Sequence, residues 1–285
     1  MTLQDELIDW FSTDARDLPW RRDTSPWSVM VSEFMLQQTP VSRVLPVFDS
    51  WMRRWPTPAA LAADSAGEAV RAWGRLGYPR RALRLHAAAT TIVERHGGEV
   101  PSERDELLAL PGVGEYTASA VASFAFGGRH PVLDTNVRRV FARVVEGVAF
   151  PAPSVMAAER RLAESLMPEH DAHHWAAATM ELGAVVCTAR APRCGACPVA
   201  DQCKWRAAGY PDHAGPPRRG QAWAGTDRQV RGRLMAVLRE ADGPVTRDDL
   251  DAAWDEPEQR DRCLDALVAD GLVEPLSDQL FALPA

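Results

Sequence analysis

The chain has 285 residues and a mass of 31.3 kDa, which allows one large domain or a main domain with an appendage. Apolar residues make up 46% and charged residues 25%, a balance that excludes a wholly disordered or fibrous chain. No run of about 18 apolar residues occurs, so we expect no membrane span. The formal net charge of −7 argues against a uniformly basic nucleic-acid binder, although a local patch can still contact phosphates.

The N-terminal charges and the lysine content add two expectations. Asp5, Glu6 and Asp9 stand where a secretory leader would carry basic residues, so we expect a cytoplasmic protein. Lys204 is the only lysine among the 32 basic residues, and the others are arginines. A mechanism that needs a lysine amine for a Schiff base therefore has one candidate in the chain.

Helical periodicity extends from the N-terminus to about residue 210. One apolar face near the start is formed by Leu3, Leu7, Trp10 and Phe11. Thr39 before Pro40 predicts a helix with Thr39 as its N-cap, and Ser154 predicts the N-cap of another helix. Alternating apolar and polar runs bounded by turn signals are absent, so we expect an all-α domain over residues 1–210.

The composition changes after residue 210. Residues 211–226 are rich in Pro, Gly and Ala without any period, which predicts a linker. Three helices are then predicted at residues 230–238, 246–254 and 256–269, followed by a short hairpin at 271–283. Three helices and a hairpin in so short a segment resemble a winged helix-turn-helix, so residues 227–285 are predicted to form a small separate domain.

Two interpretations of residues 227–285 stay open. Further DNA contact is favoured by four arginines, Arg228, Arg231, Arg233 and Arg247. A major-groove recognition helix is disfavoured by the acidic residues Asp248, Asp249, Asp251, Asp255, Glu256 and Glu258. Since these carboxylates would repel phosphates, we favour a packing cap or a protein contact.

Four cysteines lie within 17 residues in the pattern C-x6-C-x2-C-x5-C: Cys187, Cys194, Cys197 and Cys203. A cytosolic chain does not keep structural disulfides, so this density indicates a metal centre. Thiolates suit zinc or an iron–sulfur cluster. Structural zinc sites use paired C-x2–4-C hooks, and only Cys194 and Cys197 fit that spacing. One compact loop with all four ligands therefore favours a cubane cluster.

This cysteine pattern resembles the one that closes the catalytic domain of the endonuclease III and MutY class of DNA repair glycosylases. The resemblance implies a [4Fe–4S] cluster that is redox-inert in base excision and shapes a loop that meets the DNA backbone. Basic residues in or beside this loop are candidates for phosphate contact: Arg190, Arg193, Lys204 and Arg206.

A glycine-containing turn, Leu110-Pro111-Gly112-Val113-Gly114, precedes a predicted helix. Gly112 and Gly114 expose backbone N–H groups, and the start of the following helix adds partial positive charge. A phosphate fits there without a basic side chain, so an acidic protein can still hold DNA. The segment resembles the helix-hairpin-helix element of the same superfamily, which places the protein on the duplex without reading its sequence.

Two carboxylates are candidate catalytic groups. Glu33 lies among apolar neighbours in the segment VSEFMLQQT, and desolvation can keep such a carboxyl protonated near neutrality, as a general acid requires. Asp134 opens a predicted helix in the segment VLDTNVRR, where it is by itself a good N-cap.

The first segment looks like the active-site signature of MutY-type adenine DNA glycosylases, and the second resembles the superfamily's catalytic aspartate segment. The resemblance implies that Glu33 protonates the purine leaving group, and that Asp134 stabilises the oxocarbenium-like sugar or adds to it covalently. Asn136 is similar to the polar helper beside the aspartate. Gln38 resembles the residue that wedges into the duplex, and Tyr78 the aromatic that intercalates at the lesion. The arginines around Tyr78 are expected to flank DNA: Arg75, Arg80, Arg81 and Arg84.

The same resemblance extends to the base pocket. Trp20, Arg21 and Glu181 are similar to positions that line the adenine pocket, and Thr39 is placed with Gln38 among the DNA-binding residues. A base must leave the stack before such groups can reach it.

Position 116 separates two branches of this superfamily. Endonuclease III relatives carry a lysine there, whose amine attacks the sugar and permits strand cleavage. Tyr116 occupies this catalytic position here, and a phenol cannot form an imine. The resemblance therefore implies a monofunctional glycosylase that leaves the abasic site uncut.

The expected fold is all-α: a helix-hairpin-helix DNA glycosylase fold, with a six-helix barrel and an iron–sulfur cluster subdomain, plus a small C-terminal winged-helix-like domain. The segment after the linker is expected to be too short for the Nudix-like C-terminal domain that typical MutY proteins append. The expected function is hydrolysis of the N-glycosidic bond of adenine mispaired with 8-oxoguanine or guanine in duplex DNA. The expected partner is double-stranded DNA with a mismatch or an oxidised guanine, bound by a monomer associated with the nucleoid.

Two alternatives stay open. One is a mismatch glycosylase that removes thymine or uracil opposite guanine, a cousin that also carries tyrosine at the lysine position. The other is a non-catalytic lesion-binding iron–sulfur protein on the same scaffold. Glu33 favours adenine, because pyrimidine release has less need of a group that protonates a purine ring.

Overall fold

The structure is a computed structural model. It describes residues 1–213 and 223–285, with the backbone alone at Asp278. Part of the predicted linker, residues 214–222, lies outside the described residues. Residues 1–213 contain helices and no strand, which confirms the all-α prediction for the main part of the chain. None of the helices in the described ranges is long and apolar enough to cross a membrane.

The helices follow one another in chain order. The first nine are α1 (Leu3–Asp14), α2 (Pro19–Arg22), α3 (Pro26–Leu36), α4 (Val41–Arg54), α5 (Pro58–Ala62), α6 (Ala66–Trp73), α7 (Arg80–His96), α8 (Arg104–Leu108) and α9 (Glu115–Phe124). They are followed by α10 (Thr135–Phe141), α11 (Ala157–Leu166), α12 (Ala172–Val185), α13 (Lys204–Ala207), α14 (Asp227–Glu240), α15 (Arg247–Asp251) and α16 (Pro257–Ala269). A π-helical turn, Ala142–Glu146, directly continues α10.

Residues 227–285, called the C-terminal module below, combine α14, α15 and α16 with a three-stranded antiparallel sheet. The strands are β1 (Val245–Thr246), β2 (Glu274–Pro275) and β3 (Leu280–Ala282), in the order β1-β3-β2. Val245 pairs with Phe281, and Glu274 pairs with Ala282. The helices and the β2–β3 hairpin confirm the predicted winged-helix-like arrangement. Strand β1, which is only two residues long, was not predicted.

The described chain divides into two compact units. The first unit comprises Met1–Met30, Ser102–Ala109 and residues 113–213. The second comprises Val31–Pro101, Leu110–Gly112 and residues 223–285. The C-terminal module therefore shares a unit with helices α4 to α7. The division into a glycosylase domain, a linker and a C-terminal domain stays a prediction.

The core of the first unit gathers around helices α1, α10 and α12. Leu7, on the apolar face predicted for α1, is fully buried in this core, and the other members of that face pack against it. Phe141 stacks on Trp175 with ring centroids 6.2 Å apart. This packing holds the end of α10 against α12, and Asp134 lies directly before the other end of α10.

Three tryptophans anchor the core of the second unit. The ring centroid of Trp51 lies 4.6 Å from that of Trp55 and 5.6 Å from that of Trp73, both in edge-to-face arrangements. Such aromatic pairs add about 0.5–1.5 kcal/mol each beyond the area that they bury. The cluster joins α4 to α6, and α6 leads into the turn that carries Tyr78.

Two helix starts predicted from the sequence are wrong. Helix α4 has Pro40 as its N-cap, and the hydroxyl of Thr39 lies 3.3 Å from the carbonyl oxygen of Leu76 instead of capping the helix. Helix α11 has Met156 as its N-cap, two residues after Ser154. At Thr39, a tertiary partner has replaced the local capping bond that the residue type suggested.

Gly183 supplies a test of how tightly α12 packs on α10. A Cβ atom at this position would lie 2.7 Å from the Cβ of Asn136 and 2.8 Å from its carbonyl oxygen, which is backbone and cannot swing away. We expect Gly183→Ala to lower the free energy of unfolding by about 1–3 kcal/mol, despite the better helix propensity of alanine. Urea unfolding followed by circular dichroism measures this.

The matched control is Gly232→Ala in α14. A Cβ there would meet only the edge of Trp223, at 4.0 Å. This substitution should raise the free energy of unfolding by about 0.5–1 kcal/mol, because alanine loses less backbone entropy than glycine in a helix. Equal stabilisation by both substitutions would contradict the close contact at Gly183.

Candidate functional site

Glu33 lies in the buried part of α3 that belongs to the second unit. Glu33 is only 5% exposed, and the buried residues Phe34 and Met35 follow it in the helix. Glutamates are rarely buried to this extent unless they are paired or used in chemistry. The apolar surroundings predicted for Glu33 are therefore found, while its catalytic role stays a prediction.

The two residues predicted to probe the duplex lie in strained turns of the second unit. Gln38 has φ +54° and Tyr78 has φ +49°, both in the left-handed region that side chains with a Cβ avoid. Each such residue costs about 1–2 kcal/mol. Tyr78 is 47% exposed. Turns with such unfavourable backbone angles persist only where surrounding contacts hold them in place.

Arg81 holds these two turns together. One guanidinium nitrogen, Nη1, donates to the carbonyl oxygens at the end of α3 and just beyond it, at Phe34 (2.8 Å), Met35 (3.1 Å) and Gln37 (2.7 Å). The other, Nη2, donates to the Thr39 hydroxyl at 3.0 Å and to the Gly77 carbonyl at 2.9 Å. The guanidinium therefore bridges the turn before Thr39 and the turn before Tyr78.

These contacts correct two sequence interpretations. Arg81 was expected to flank DNA, but it is 6% exposed and donates inward. Thr39 was placed among the DNA-binding residues, but it is buried and its hydroxyl accepts from Arg81. Burial lowers the pKa of Arg81 to about 10, so the group remains charged at neutral pH. Both residues support the turns and do not present their side chains to a ligand.

In the first unit, Asp134 is the N-cap of α10 and is held by three hydrogen bonds. Its Oδ1 accepts from the backbone N–H groups of Asn136 (2.8 Å) and Val137 (2.7 Å), and its Oδ2 accepts from Nδ2 of Asn136 at 2.7 Å. Burial raises the pKa of Asp134, and the hydrogen bonds oppose that rise. The carboxylate is thus fixed in direction while it is partly removed from water.

Asn136 connects this carboxylate to the cysteine loop through Arg139. The Arg139 guanidinium donates to Oδ1 of Asn136 at 2.8 Å, to the Gly183 carbonyl at 2.7 Å and to the Cys187 carbonyl at 2.8 Å. The expectation that Asn136 assists the aspartate is consistent with this chain of hydrogen bonds. Arg139, which no sequence motif marked, extends these hydrogen bonds from Asn136 to the cysteine loop.

Arg143 organises the start of the cysteine loop. This residue is 2% exposed and lies in the π-helical turn after α10. Its guanidinium donates to Sγ of Cys187 at 3.4 Å and to the carbonyl oxygen of Thr188 at 2.8 Å. It also lies over the ring of Trp205, 4.6 Å from the centroid. A buried cation therefore faces the loop that carries the four thiols.

The four predicted metal ligands converge. One cavity is lined by Cys187, Cys194, Cys197 and Cys203, together with Arg143 and apolar residues. Burial, with a smaller contribution from the other thiols, raises the pKa of Cys197 to about 11, and burial also raises the pKa of Cys187. Four adjacent thiols in an apolar pocket ionise together only around bound cations. The donor set fits an iron–sulfur cluster, which would fix this loop when bound.

Two of the basic residues near the loop are engaged locally. Arg193 donates from Nε to the Val185 carbonyl at 3.1 Å. Arg206 forms an exposed ion pair with Asp201 at 2.8 Å. Phosphate contact by these residues stays a prediction, and it would compete with these local bonds.

Glu181 is predicted to line the base pocket, which stays a prediction, and the structure shows it in two buried ion pairs. The carboxylate is fully buried and pairs with Arg16 at 2.7 Å and with Arg21 at 2.8 Å. These two cations lower the pKa of Glu181 to about 2 against the opposing effect of burial. Glu181 therefore fixes Arg21, which follows the buried Trp20, and any role in base recognition is exerted through Arg21. Arg16 was missed because no motif marked it.

The predicted phosphate cradle has the expected backbone. Gly112 has φ +76°, and a Cβ there would meet the side chain of Arg84 at 2.6 Å, so only glycine fits. Gly114 is the N-cap of α9 and supplies no side-chain cap to the N–H groups of that helix. A cavity of about 1080 Å³ is lined by Tyr116 from the first turn of α9 and by Leu133, which precedes Asp134.

Comparisons with known proteins agree with this architecture. The family described as HhH-GPD superfamily base excision DNA repair protein matches residues 31–167. The family described as iron-sulfur binding domain of endonuclease III matches residues 187–203, the segment of the four cysteines. The predicted iron–sulfur cofactor is thereby confirmed, in preference to zinc.

Three similar proteins illustrate the relationship. The adenine DNA glycosylase of Mycobacterium tuberculosis (strain ATCC 25618 / H37Rv) is 57% identical over 281 residues, which is 98% of this chain and 92% of that protein. The structure of a thermostable thymine-DNA glycosylase has a TM-score of 0.66 and 28% identity, covering 72% of this chain and 95% of that one. A trapped endonuclease III–DNA covalent intermediate has a TM-score of 0.62 and 25% identity, covering 72% of this chain and 94% of that one.

The helix-hairpin-helix fold and the cysteine loop define a DNA-binding base excision repair glycosylase of the HhH-GPD superfamily. Within this superfamily, the chain belongs to the adenine DNA glycosylase family. The match to the Mycobacterium tuberculosis protein covers 98% of this chain and therefore includes most of the C-terminal module.

Glu181 gives a pH-dependent stability prediction. The pKa of Glu181 falls from 4.5 to about 2 on folding. Its ion pairs therefore add fully to the free energy of unfolding above pH 4.5, and this contribution is lost as the pH falls from 4.5 towards 2. We expect Glu181→Gln to lower the free energy of unfolding by about 3 kcal/mol at pH 7. The difference in free energy of unfolding between Glu181→Gln and the native chain should be smaller at pH 3 than at pH 7, as measured by urea unfolding at both pH values.

Glu115→Gln is the control for an exposed carboxylate. Glu115 is 56% exposed in its side chain and pairs with Arg104 and Arg160. Its loss should cost less than about 1 kcal/mol. A loss for Glu181→Gln that stays constant between pH 7 and pH 3 would show that the ion pairs are not its cause.

Proposed function

We propose that the chain hydrolyses the N-glycosidic bond of adenine mispaired with 8-oxoguanine or guanine in duplex DNA and leaves an abasic site. The observation that carries this proposal is the 57% identity to an adenine DNA glycosylase over 98% of the chain. The mismatch-glycosylase alternative gains less support, because the thymine-DNA glycosylase structure is 28% identical and covers 72% of the chain.

The proposed chemistry assigns one task to each carboxyl group. Adenine leaves poorly as an anion, so Glu33, withdrawn from water, donates a proton to the ring as the bond between N9 and C1′ breaks. The bond electrons go to the base, and positive charge appears on the sugar. The protonated base departs as neutral adenine. Water then adds to C1′, and its proton returns through solvent to the Glu33 carboxylate, which leaves a hydroxylated sugar and restores the acid.

Asp134 is proposed to stabilise the sugar cation, either electrostatically or by transient covalent addition. Its orientation by Asn136 and Val137 supports this role, because a prealigned anion needs no reorganisation as charge develops. The bonds occupy both carboxylate oxygens but leave lone pairs for a further contact. Asn136 thus acts as a positioning residue for Asp134.

The absence of a lysine at position 116 supports hydrolysis without strand cleavage. Tyr116 lies in the first turn of α9, where its phenol cannot form an imine with the opened sugar. Lys204, the only lysine of the chain, lies at the start of α13 directly after Cys203, in the cysteine loop. We therefore propose a monofunctional enzyme with no lyase step.

DNA would be held by backbone groups and by a few side chains. The hairpin at Gly112 and Gly114 suits one phosphate, and Gln38 and Tyr78 are proposed to enter the duplex at the lesion. Trp20 and Arg21 are proposed to contact the extruded base. Action as a monomer and a location in the cytoplasm with the nucleoid stay predictions of the sequence.

Substrate choice is tested by single-turnover base release from duplexes with A:8-oxoG, A:G, A:T, T:G and U:G pairs. Adenine should be released from the first two, and strands should break only after hot alkali. Borohydride should trap no covalent enzyme–DNA adduct, since no amine is placed to form an imine. Faster release of thymine or uracil, or prompt nicking with a trapped adduct, would overturn the proposal.

The acid is tested by Glu33→Gln, which keeps the shape of the side chain but cannot donate the same proton. We expect base release to fall by at least about 100-fold, while affinity for an A:8-oxoG duplex changes by less than about threefold. Glu94→Gln on the exposed side of α7 serves as the control and should leave both quantities unchanged. Normal turnover by Glu33→Gln would show that another group supplies the proton.

A further inference from the structure

The turn between α6 and α7 carries Tyr78 and is conformationally demanding. Gly74 has φ +55° and Gly77 has φ +84°, while Tyr78 itself has φ +49°. The Trp73 indole N–H donates to the Gly77 carbonyl at 3.1 Å, which ties the turn to the tryptophan cluster. The ring of Tyr78 still projects from this framework with 47% of the residue exposed.

The C-terminal module contacts this turn through two arginines, each of which donates to carbonyl oxygens at the end of the other's helix. Arg71 in α6 donates to carbonyl oxygens at the end of α14, including Ala241 at 2.7 Å and Arg239. Arg239 in turn donates to the Gly74 carbonyl at the end of α6. Each guanidinium thus satisfies the last carbonyls of the other helix, where a cation is also favoured by the helix dipole.

Two further contacts fix the module beside the same segment. Asp270 at the end of α16 pairs with Arg80 of α7 at 3.0 Å and with Arg231 of α14. The N–H of Gly67 donates to the Pro284 carbonyl at 2.7 Å, and a Cβ on Gly67 would overlap that carbonyl. The module is therefore attached before and after the Tyr78 turn, as a packing cap would be.

One contact goes beyond attachment. The guanidinium carbon of Arg228, in the first turn of α14, lies over the ring of Tyr78 at 5.3 Å from the centroid and over Trp223 at 5.4 Å. Arg81 lies over the same tyrosine ring at 5.6 Å. A cation over an aromatic face fixes the direction of the ring as well as its position. An exposed aromatic beside a cation is also the arrangement on which unstacked bases stack.

We propose that the C-terminal module acts in lesion recognition through Arg228, a positioning residue that orients Tyr78 for insertion beside the mispair. This inference rests on the proposed function, in which Tyr78 enters the duplex. The module is then more than a cap and reaches the DNA through the residue that it orients. Its acidic α15 and α16 need not touch phosphates for it to act in this way.

The chain offers a matched pair of arginines for the test. Arg228 and Arg233 lie on the same helix, and each is placed over an aromatic ring, but Arg233 lies over Trp254 inside the module at 5.2 Å. Methionine keeps much of the length and apolar contact of arginine and removes the charge. Arg228→Met and Arg233→Met therefore differ chiefly in whether Tyr78 loses one of the two cations over its ring, the other being Arg81.

Two readouts separate orientation from stability. The first is single-turnover adenine release from A:8-oxoG and A:G duplexes at saturating enzyme. The second is the fluorescence of 2-aminopurine placed beside the mispair, which reports insertion upon binding and does not require catalysis. We expect Arg228→Met to reduce both the release rate and the fluorescence change by about two- to fivefold, with an unchanged thermal midpoint. Arg228→Lys should restore most of the loss, and Arg233→Met should match the native chain.

A double-substitution cycle with Tyr78→Leu completes the test. If Arg228 acts through Tyr78, Arg228→Met has no further effect on the fluorescence change once Tyr78 is absent. Additive effects, or a loss by Arg233→Met equal to that by Arg228→Met, would overturn the inference. If the native chain releases no adenine but the fluorescence cycle is non-additive, the proposed function fails and the role of Arg228 stands.

Discussion

The buried guanidinium of Arg81 is the interaction on which the recognition side of this molecule depends. Taking a cation out of water is costly, and the lowered pKa of about 10 records that cost. Five oxygen acceptors offset it, drawn from the end of α3, the Thr39 hydroxyl and the Gly77 carbonyl. Because these acceptors belong to two turns that are separately strained, one side chain fixes both Gln38 and Tyr78. A lysine could not reach so many acceptors in one plane.

The sequence allowed the fold class, the cysteine loop, the burial of Glu33 and the N-cap position of Asp134 to be predicted, because each depends on local pattern or on spacing along one segment. The interpretations that failed depend on partners far away in sequence. Thr39 resembled an N-cap, and Arg81 resembled a DNA-flanking arginine, until each was seen to bind the other. The pocket role of Glu181 stays a prediction, but its ion pair with Arg16, 165 positions away, could not be predicted from the sequence. In a chain where nearly every cation is arginine, residue type alone does not separate buried cross-links from surface contacts.

In the first unit, buried guanidinium groups also join separate segments, here the helix that begins after Asp134 and the cysteine loop. Arg139 joins Asn136, and through it Asp134, to the backbone at Cys187, while Arg143 binds the sulfur and neighbouring carbonyls of the same loop. The four-residue spacing of the two arginines places them on one face of the helical run from α10 into the π-helical turn. That face was visible in the sequence, but its target was not, because the loop has no periodic signal. The cluster loop and the aspartate are therefore coupled through side chains that a motif search passes over.

The net negative charge is compatible with DNA binding if uncharged groups make many of the contacts to DNA. Many arginines bind other parts of the protein, as helix-end caps, in buried ion pairs or as cations over aromatic rings. The number of arginines therefore overstates how many positive side chains are available to contact DNA. Binding must then draw on groups that carry no formal charge, such as the N–H groups at the start of α9, and on inserted side chains. An inserted aromatic ring can contribute to such binding without adding positive charge, because it stacks on bases. A module that fixes Tyr78 through Arg228 suits an acidic glycosylase better than a basic recognition helix would.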